Sequence, residues 1–316
     1  MPAGLAIFTG VAAAAARHVW RPDASRIVVL AIAWGLSEWL RGHIFTGFPW
    51  NALGYALTGG PLLMQSVSVL GIYGLSLVAA VVFLLPLTVA AGERPQIWGA
   101  AVAASLLAVL ASFGVWRLSG ATDAVVEGVK LRIVQPSIPQ REKWLPEKQR
   151  EIFDLHLALS RTNADGATDN LAGVTHVIWP EAAMPFRPLE QPQALEAIGA
   201  LLPSSSYLLA GALRAVWPEA KASGQRERPK VYNSLLVFGA GGALSGIYDK
   251  IHLVPFGEYL PFERELEEMG LHPLSYLPGG LSAGTPPREL IHAGRLPPAS
   301  VLICYESIFP ADVVQG

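Results

Sequence analysis

The charged residues of this chain are concentrated in its second part. Residues 1–124 contain ten charged side chains, six Arg and four Asp or Glu, whereas residues 125–316 contain 38. Over the whole chain 15% of residues are charged and 52% are hydrophobic, whereas soluble domains average about 25% charged residues. We therefore predict two parts, a membrane-embedded region over residues 1–124 and a polar domain over residues 125–316.

Several apolar segments of the first part are long enough to cross a lipid bilayer. About 20 apolar residues in a helix span a hydrocarbon core of about 30 Å. Glu38 and Arg41 fall near the end of one segment, where such side chains can extend to the interface. A very apolar soluble helical domain is the alternative, but several nearly uncharged segments are rare in one soluble core. The candidates are a marginal segment at residues 5–20, one that starts at Ile27, and the two clearest at 61–91 and 97–116.

Basic residues predict the orientation of these segments. Arg17, Arg21 and Arg26 lie in the short loop between the first two, and the positive-inside rule places such a loop in the cytoplasm. Alternation from there puts residues 42–60 outside and lets the chain emerge outside after Trp116. The sequence thus predicts a multi-pass membrane protein whose polar domain is extracytoplasmic.

Strand and helix patterns alternate along the polar domain. Residues 231–238 and 244–249 flank a glycine-rich stretch, which predicts a hairpin. Such alternation favours a layered α/β sheet whose functional residues lie at strand ends. The patterns predict further strands at 129–135, 176–179, 207–213 and 299–305, and helices at 146–164 and 193–202.

Three reactive side chains stand in strongly apolar surroundings within this domain. Cys304, the only cysteine, lies in VLICYESIFP, Glu181 in VIWPEAAMPF and Lys250 in YDKIHLVPFGEYLPF. Attack on an ester or amide carbonyl needs a thiolate, a proton acceptor and positive charge near the developing oxyanion. We therefore interpret the three as nucleophile, base and oxyanion stabiliser, and we expect the ammonium to lower the pKa of the thiol.

Simpler explanations exist for each of these residues taken alone. A single buried Cys usually only packs, and a Glu or Lys at a strand end is usually a solvated cap or an ion-pair partner. The stretch GLSAG around Ser282 matches the G-x-S-x-G motif, but it lacks the strand and helix that this motif needs, so we predict a loop there.

Cofactors and nucleic acid are not predicted. The seven His have no metal-ligand spacing, and the glycine-rich stretch at 239–242 lacks the spacing of a phosphate-binding loop. The net charge of -2, without a basic stripe, argues against a nucleic-acid partner.

The order Glu, Lys, Cys with its flanking sequences resembles the nitrilase superfamily of carbon-nitrogen hydrolases. WPE, NSL, DKIHLVPFGEYLP and ICYE, preceded by TGFPWN at residues 46–51, are similar to the motifs of its membrane-bound branch, the apolipoprotein N-acyltransferases. The resemblance implies an α/β protein in which an N-terminal transmembrane helix bundle precedes a nitrilase-like α-β-β-α sandwich domain.

By this resemblance, the activity is a two-step acyl transfer at the periplasmic side of a bacterial inner (plasma) membrane. Cys304 takes an acyl chain from a phospholipid as a thioester, Glu181 accepts the thiol proton, and Lys250 stabilises the tetrahedral oxyanion. The acceptor is the α-amino group of the diacylglyceryl-cysteine at the N-terminus of a lipoprotein. The implied partners are therefore a phospholipid donor, a lipoprotein acceptor and the membrane, with no metal or organic cofactor.

The resemblance also assigns supporting roles to five residues. Glu258, in VPFGE, corresponds to a second essential carboxylate that orients the lysine or the attacking amine; a loop-capping ion pair is the alternative. Tyr305 and Glu306 correspond to residues beside the nucleophile. Trp144 corresponds to a tryptophan of a substrate-contacting loop, and Asn233 is expected to fix the local backbone.

Two other functions and one structural expectation stay open. A membrane-tethered amidase would use the same three residues with water as acceptor, and a catalytically inactive membrane scaffold would keep only the fold. Members of the resembled family continue beyond the point that corresponds to Gly316, with further strands and a final membrane helix. We therefore expect residues 1–316 to be a fragment with an incomplete sandwich, inactive or unstable by itself.

Overall fold

The computed structural model describes residues 2–87, 97–218, 228–262, 265, 268 and 280–309. Contacts divide the chain into two units, Met1–Ala124 with Ile308–Pro310 and Val125–Ser307 with Ala311–Gly316. Apart from the residues near the C-terminus, the division lies between Ala124 and Val125, where the density of charged residues changes.

The first unit is helical. Within its described residues, two helices are long and apolar enough to cross a membrane, Val67–Leu84 with mean hydropathy 2.4 and Trp98–Ser119 with 1.9. All four predicted segments thus contain helix, but only two meet this length and hydropathy criterion. The helices are α1 (Pro2–Val19), α2 (Ser25–Arg41), α3 (Pro61–Met64), α4 (Val67–Leu84) and α5 (Ile97–Ser119), with a 3-10 turn at Leu53–Leu57.

Residues 61–91, predicted as one span, do not form one continuous helix. α3 ends at Met64 and α4 begins at Val67, and Gly71 inside α4 has φ 62° and ψ 177°. This conformation is essentially limited to glycine, because a Cβ would clash with the backbone. The helix is therefore kinked at Gly71, and residues 88–91 of the predicted span lie outside the described residues.

Glu38 was expected to extend to an interface, but it is buried inside the first unit. Its side chain lies in α2, and the residue is only 6% exposed. One carboxylate oxygen accepts hydrogen bonds from Trp34 Nε1 at 3.0 Å and from the backbone N–H of Leu53 at 2.8 Å. An internal carboxylate thus holds the 3-10 turn against α2: two donors satisfy one of its oxygens, while the other is buried without a hydrogen-bond partner among the described residues.

The second unit contains one five-stranded mixed sheet in the order β1-β2-β3-β4-β5. β1 to β3 run parallel, whereas β4 is antiparallel to both β3 and β5. The strands are β1 (Leu131–Ile133), β2 (His176–Ile178), β3 (Tyr207–Val216), β4 (Lys230–Phe238) and β5 (Leu244–Asp249), and the helices are α6 (Gln140–Lys143), α7 (Gln149–Ser160) and α8 (Pro192–Leu201).

Both faces of this sheet are covered. Successive strand side chains point to opposite faces, so Leu208 joins the core beneath α7 and α8 while Leu209 joins a second cluster with Ile291 and Ile303. Strands buried on both faces are nearly continuous apolar runs, as β3 and β4 are. The hairpin and the strands predicted at 129–135, 176–179 and 207–213 are confirmed, with shifted ends.

The strand predicted at residues 299–305 is wrong. Cys304 has φ 51° and begins a 3-10 helix, Cys304–Ile308. The backbone N–H of Ile303 donates to the carboxylate of Glu306 at 2.8 Å, so this donor is not available for pairing with a strand. In place of the second sheet of a sandwich, the described residues 290–303 cover the sheet irregularly, with one isolated bridge between Ile291 and Ala299.

An ion pair that ties β1 to the loop after α7 gives a testable pH dependence. Arg132 donates to both carboxylate oxygens of Asp169, at 2.7 and 2.5 Å, and to the carbonyl oxygen of Ser160 at 2.9 Å. The hydrogen bonds from the guanidinium are the main cause that lowers the pKa of Asp169 from 3.8 to about 2. A carboxyl group whose pKa is lowered by folding stabilises the fold above its unfolded pKa and ceases to do so as the pH falls through its folded pKa.

We therefore predict that Asp169→Asn melts at a lower temperature than the wild type above pH 4, and that the difference disappears near pH 2. Melting followed by circular dichroism from pH 6 to pH 2 measures this. Asp165→Asn, at an exposed position of the same loop, is the matched control and should show no such trend. A difference between wild type and Asp169→Asn that stays constant with pH would contradict the assignment.

Candidate active site

The sheet topology brings the predicted reactive residues to one edge. β1, β2 and β3 are parallel, so their carboxyl ends lie at the same edge of the sheet. β4 is antiparallel to both β3 and β5, so β5 runs in the same direction as β3 and also ends at this edge. Glu181 follows β2, and Lys250 follows β5. Asn233 lies on β4 opposite Leu213, near the end of β3, and its carbonyl oxygen accepts the backbone N–H of Lys250 at 2.9 Å. Functional groups in α/β sheets gather at this kind of edge.

Glu181 lies beside the thiol. Its carboxylate accepts a hydrogen bond from Asn233 Nδ2 at 2.6 Å and is close enough to Cys304 to raise the pKa of the thiol. Its backbone carbonyl accepts a hydrogen bond from Lys143 Nζ at 3.0 Å. Asn233, expected to fix the local backbone, thus also orients the Glu181 side chain. The carboxylate is therefore placed to accept the thiol proton.

Cys304 is exposed and lies on a turn with positive φ. The pKa of the Cys304 thiol is raised, first by its partial burial and then by the Glu181 carboxylate. The Lys250 ammonium lowers this pKa, but by less. The expectation of a lowered thiol pKa is therefore wrong in its net direction, because desolvation and a neighbouring anion outweigh one cation. The thiol keeps its proton near neutral pH and needs the adjacent base for attack.

Lys250 is buried, with 1% of its surface exposed, and its charge is balanced by Glu258. Lys250 Nζ donates to Glu258 Oε1 at 2.8 Å, while Glu258 Oε2 accepts the backbone N–H of Val254 at 2.9 Å. Glu258 therefore both caps its own loop and orients Lys250. A loop-capping ion pair and a carboxylate that orients the lysine, given above as alternatives, are thus parts of one arrangement. The ammonium lies close enough to Cys304 to act on its charge.

Glu306 joins the two segments that carry the lysine and the cysteine. It is fully buried, and one oxygen accepts the Tyr248 hydroxyl at 2.8 Å and the backbone N–H of Ile251 at 2.9 Å. The other oxygen accepts the backbone N–H of Ile303. Burial and the Glu306 carboxylate raise the pKa of Tyr248, in that order. Glu306 thus holds the cysteine turn beside the end of β5.

The two remaining predicted residues differ in exposure. Tyr305 is 2% exposed and belongs to the interior. Trp144 follows α6 and is half-buried, and the Lys143 ammonium lies 5.9 Å from its ring centroid. Burial lowers the pKa of Lys143, and Glu181 and Cys304 partly offset this effect. The sequence interpretation missed Lys143, whose position after β1 was the only available signal.

The sequence interpretation also missed Arg288. This buried guanidinium lies 3.5 Å from the Glu306 carboxylate and 5.7 Å from the Tyr248 ring centroid. Ser282 lies in an irregular segment, where its backbone N–H donates to the carbonyl of Val231 at 2.7 Å, so the predicted loop is confirmed. In the described part of the chain, no three His, Cys, Asp or Glu side chains group so as to hold a metal ion.

Comparison with known sequences identifies the family. Residues 130–315 match the family model of carbon-nitrogen hydrolases. The chain belongs to the carbon-nitrogen hydrolase family. Residues 1–85 match the model of the apolipoprotein N-acyltransferase N-terminal domain, so both parts of the suspected resemblance are confirmed.

Three similar curated proteins are all named apolipoprotein N-acyltransferase. The apolipoprotein N-acyltransferase of Rhodopseudomonas palustris is 39% identical over 319 residues, which covers 100% of this chain and 59% of that protein. The apolipoprotein N-acyltransferase of Brucella suis is 42% identical over 318 residues, 99% of this chain and 57% of the relative. The corresponding protein of Bradyrhizobium diazoefficiens is 39% identical over 316 residues, 99% of this chain and 58% of the relative. The chain thus spans less than two thirds of the length of these curated relatives.

Gly211 on β3 provides a test of how the Glu181 turn is placed. A Cβ at Gly211 would lie 2.6 Å from the carbonyl oxygen of Pro180 and 2.7 Å from Glu181 Cα, so a methyl group must displace the turn. We predict that Gly211→Ala lowers the rate at which an activated ester acylates Cys304 by about 100-fold, since misplacement of a reacting group by about 1 Å has that effect.

Mass spectrometry of the acylated protein measures this rate. Gly246→Ala, on β5, is the matched control, because its Cβ would meet the Val237 side chain at an ordinary 3.4 Å. Equal rates for the two variants would contradict the proposed placement of the Glu181 turn.

Proposed function

We propose that this protein is an N-acyltransferase that moves an acyl chain from a phospholipid to the α-amino group of the diacylglyceryl-cysteine at the N-terminus of apolipoproteins. The observation that carries the proposal is that Glu181 and Lys250, oriented by Asn233 and Glu258, both lie close enough to Cys304 to act on its charge. The names of the similar proteins supply the substrate classes. No step of the reaction requires a cofactor.

In the first half-reaction, the Glu181 carboxylate accepts the proton of the Cys304 thiol as the sulfur attacks the ester carbonyl of the phospholipid. The carbonyl oxygen becomes an oxyanion, which the Lys250 ammonium stabilises. The oxyanion collapses, the ester C–O bond breaks, and the leaving alkoxide takes the proton from Glu181. The products are a lysophospholipid and an acyl thioester on Cys304.

In the second half-reaction, the neutral α-amino group of the lipoprotein attacks the thioester carbonyl. Glu181, now a carboxylate again, accepts a proton from the attacking nitrogen. The second oxyanion forms at the same place as the first, so Lys250 stabilises both. The C–S bond then breaks, the amide is formed, and the Cys304 thiolate recovers its proton from Glu181.

The remaining site residues support these three. Glu258 positions Lys250 through their 2.8 Å contact, and Asn233 positions the Glu181 carboxylate. Glu306 and Tyr305 hold the cysteine turn from the interior. Trp144 is assigned to substrate contact, because it is half-buried and follows α6, whose last residue, Lys143, lies beside the Glu181 turn.

Residues 1–124 are assigned to a transmembrane helix bundle. The match of residues 1–85 to the acyltransferase N-terminal domain and the two long apolar helices support this assignment. Arg17 at the end of α1, Arg21 in the connection and Arg26 at the start of α2 then belong on the cytoplasmic side, and the catalytic domain on the periplasmic side of the bacterial inner membrane. Both substrates are membrane-anchored lipids, so an enzyme held at the bilayer surface meets them by diffusion in two dimensions.

An amidase or esterase that transfers the acyl group to water is the second candidate, favoured by the family match of residues 130–315 to carbon-nitrogen hydrolases. The product distinguishes the two. An acyltransferase gives an acylated amine, whereas a hydrolase gives a free acid.

We predict that the full-length protein incubated with phospholipid in mixed micelles gains the mass of one acyl chain on Cys304, and that a diacylglyceryl lipopeptide then removes it. Cys304→Ala abolishes the adduct, and Glu181→Gln slows its formation about 100-fold or more, as loss of a general base does. Ser282→Ala is the control and keeps full activity.

Intact mass spectrometry follows the adduct, and thin-layer chromatography follows the lipid products. Release of free fatty acid without acylation of the lipopeptide would select the hydrolase. The absence of any adduct on Cys304 would refute both candidates.

A further inference from the structure

The charges of the site form two sets. Lys250 and Glu258 compensate each other at 2.8 Å. The Glu181 carboxylate, in contrast, accepts a hydrogen bond from an uncharged group, the Asn233 amide, and lies beside the Cys304 thiol. A partly buried carboxylate beside a thiol that must lose its proton needs a positive charge nearby. Lys250 acts on the thiol from one side, but its partner Glu258 reduces its effect.

Lys143 lies where that charge is needed. Its ammonium donates one of its three N–H groups to the backbone carbonyl of Glu181 at 3.0 Å. Its charge interacts favourably with both the Glu181 carboxylate and Cys304, against the effect of its own burial. Among the described residues, Lys143 forms no contact ion pair, and its charge acts on the Glu181 carboxylate from beyond that distance. Its charge is thus not compensated by a separate ion pair.

We propose that Lys143 is the counter-ion of the Glu181–Cys304 pair, a positioning residue that holds the Glu181 turn and stabilises the negative charge on whichever partner lacks the proton. Proton transfer from Sγ to the carboxylate moves one negative charge within the pair and leaves its total charge unchanged. One ammonium fixed at the Glu181 backbone therefore serves the pair before and after the transfer. That the thiolate then attacks an ester carbonyl rests on the proposed acyltransferase function.

The groups around Lys143 are consistent with this role. Glu181 lies on the loop after β2, Cys304 on the 3-10 helix, and His156 on α7. Burial first, and then the Lys143 charge, lower the pKa of His156. His156 is therefore neutral near neutral pH and adds no second positive charge. Lys250 and Lys143 thus have separate roles, because Lys250 is oriented by Glu258 and Lys143 by the Glu181 backbone.

The test is the pH dependence of Cys304 alkylation by iodoacetamide, an uncharged reagent. An opposite charge within about 4–6 Å shifts a pKa by about 1–3 units. We therefore expect Lys143→Met to raise the midpoint of the alkylation curve by about one pH unit or more, which slows alkylation near neutral pH about tenfold. Lys143→Arg keeps the positive charge and keeps the midpoint close to that of the wild type.

Lys148→Met is the matched control, because Lys148 pairs with Glu151 at 2.7 Å and is expected to leave the midpoint unchanged. Equal midpoints for wild type and Lys143→Met would overturn the proposal. So would a raised midpoint in Lys143→Arg equal to that of Lys143→Met, since this would indicate a structural role rather than a charge.

A second measurement needs no change at Lys143 and decides the case if Lys143→Met does not fold. Competitive labelling of Lys143 with acetic anhydride across pH gives its pKa in the wild type and in Glu181→Gln. Loss of the carboxylate charge lowers the pKa of Lys143 under the proposal, and an unchanged labelling midpoint would overturn it. Neither measurement uses phospholipid or lipoprotein, so their outcome is independent of whether acyl transfer occurs.

Discussion

The arrangement of the active site depends on one buried carboxylate, that of Glu306. It receives a hydroxyl and several backbone N–H groups from two segments that are far apart in the chain, the end of β5 and the turn that carries Cys304. A fully buried carboxylate is stable only when such donors replace its hydration. Because these donors come from both segments, the same bonds that satisfy Glu306 fix the distance between the lysine and the cysteine.

The positive φ of Cys304 follows from this constraint. A strand through residues 299–305 would pair the Ile303 N–H with a neighbouring strand, but this donor goes to Glu306 instead. The chain turns at the next residue, where Cys304 has φ 51° and is exposed. Left-handed backbone is uncommon for residues other than glycine and occurs mainly where the surrounding structure imposes it, often at functional sites. The turn places the thiol at the surface, while Tyr305 and Glu306 remain inside.

The sequence was most informative where periodicity and apolar surroundings agree. The runs in β3 and β4 and the turn between β4 and β5 could be predicted because strand periodicity and glycine chemistry are local properties. The expected strand at 299–305 failed because its apolar pattern reports burial of Val301 and Ile303, not backbone pairing. Lys143 and Arg288 could not be predicted from pattern, because their roles depend on which groups the fold brings near them, the Glu181 backbone carbonyl for Lys143 and the Glu306 carboxylate for Arg288.

The electrostatics of the site favour attack that is coupled to proton transfer. A thiol with a raised pKa is weakly ionised near neutral pH, which limits reaction with water-soluble electrophiles while no substrate is bound. The Glu181 carboxylate lies close enough to act on this thiol, so under the proposed function the thiolate forms as the sulfur approaches a carbonyl carbon. Breaking the buried Lys250–Glu258 pair would leave one charge uncompensated, at a typical cost of about 3–5 kcal/mol. Glu258 therefore holds the Lys250 ammonium in a fixed position near the sulfur, whereas the proton that can move is shared by Glu181 and Cys304. Under the proposed function, a fixed ammonium and a shared proton together provide the two requirements of acyl transfer, a stabilised oxyanion and a base that can later return the proton to the leaving group.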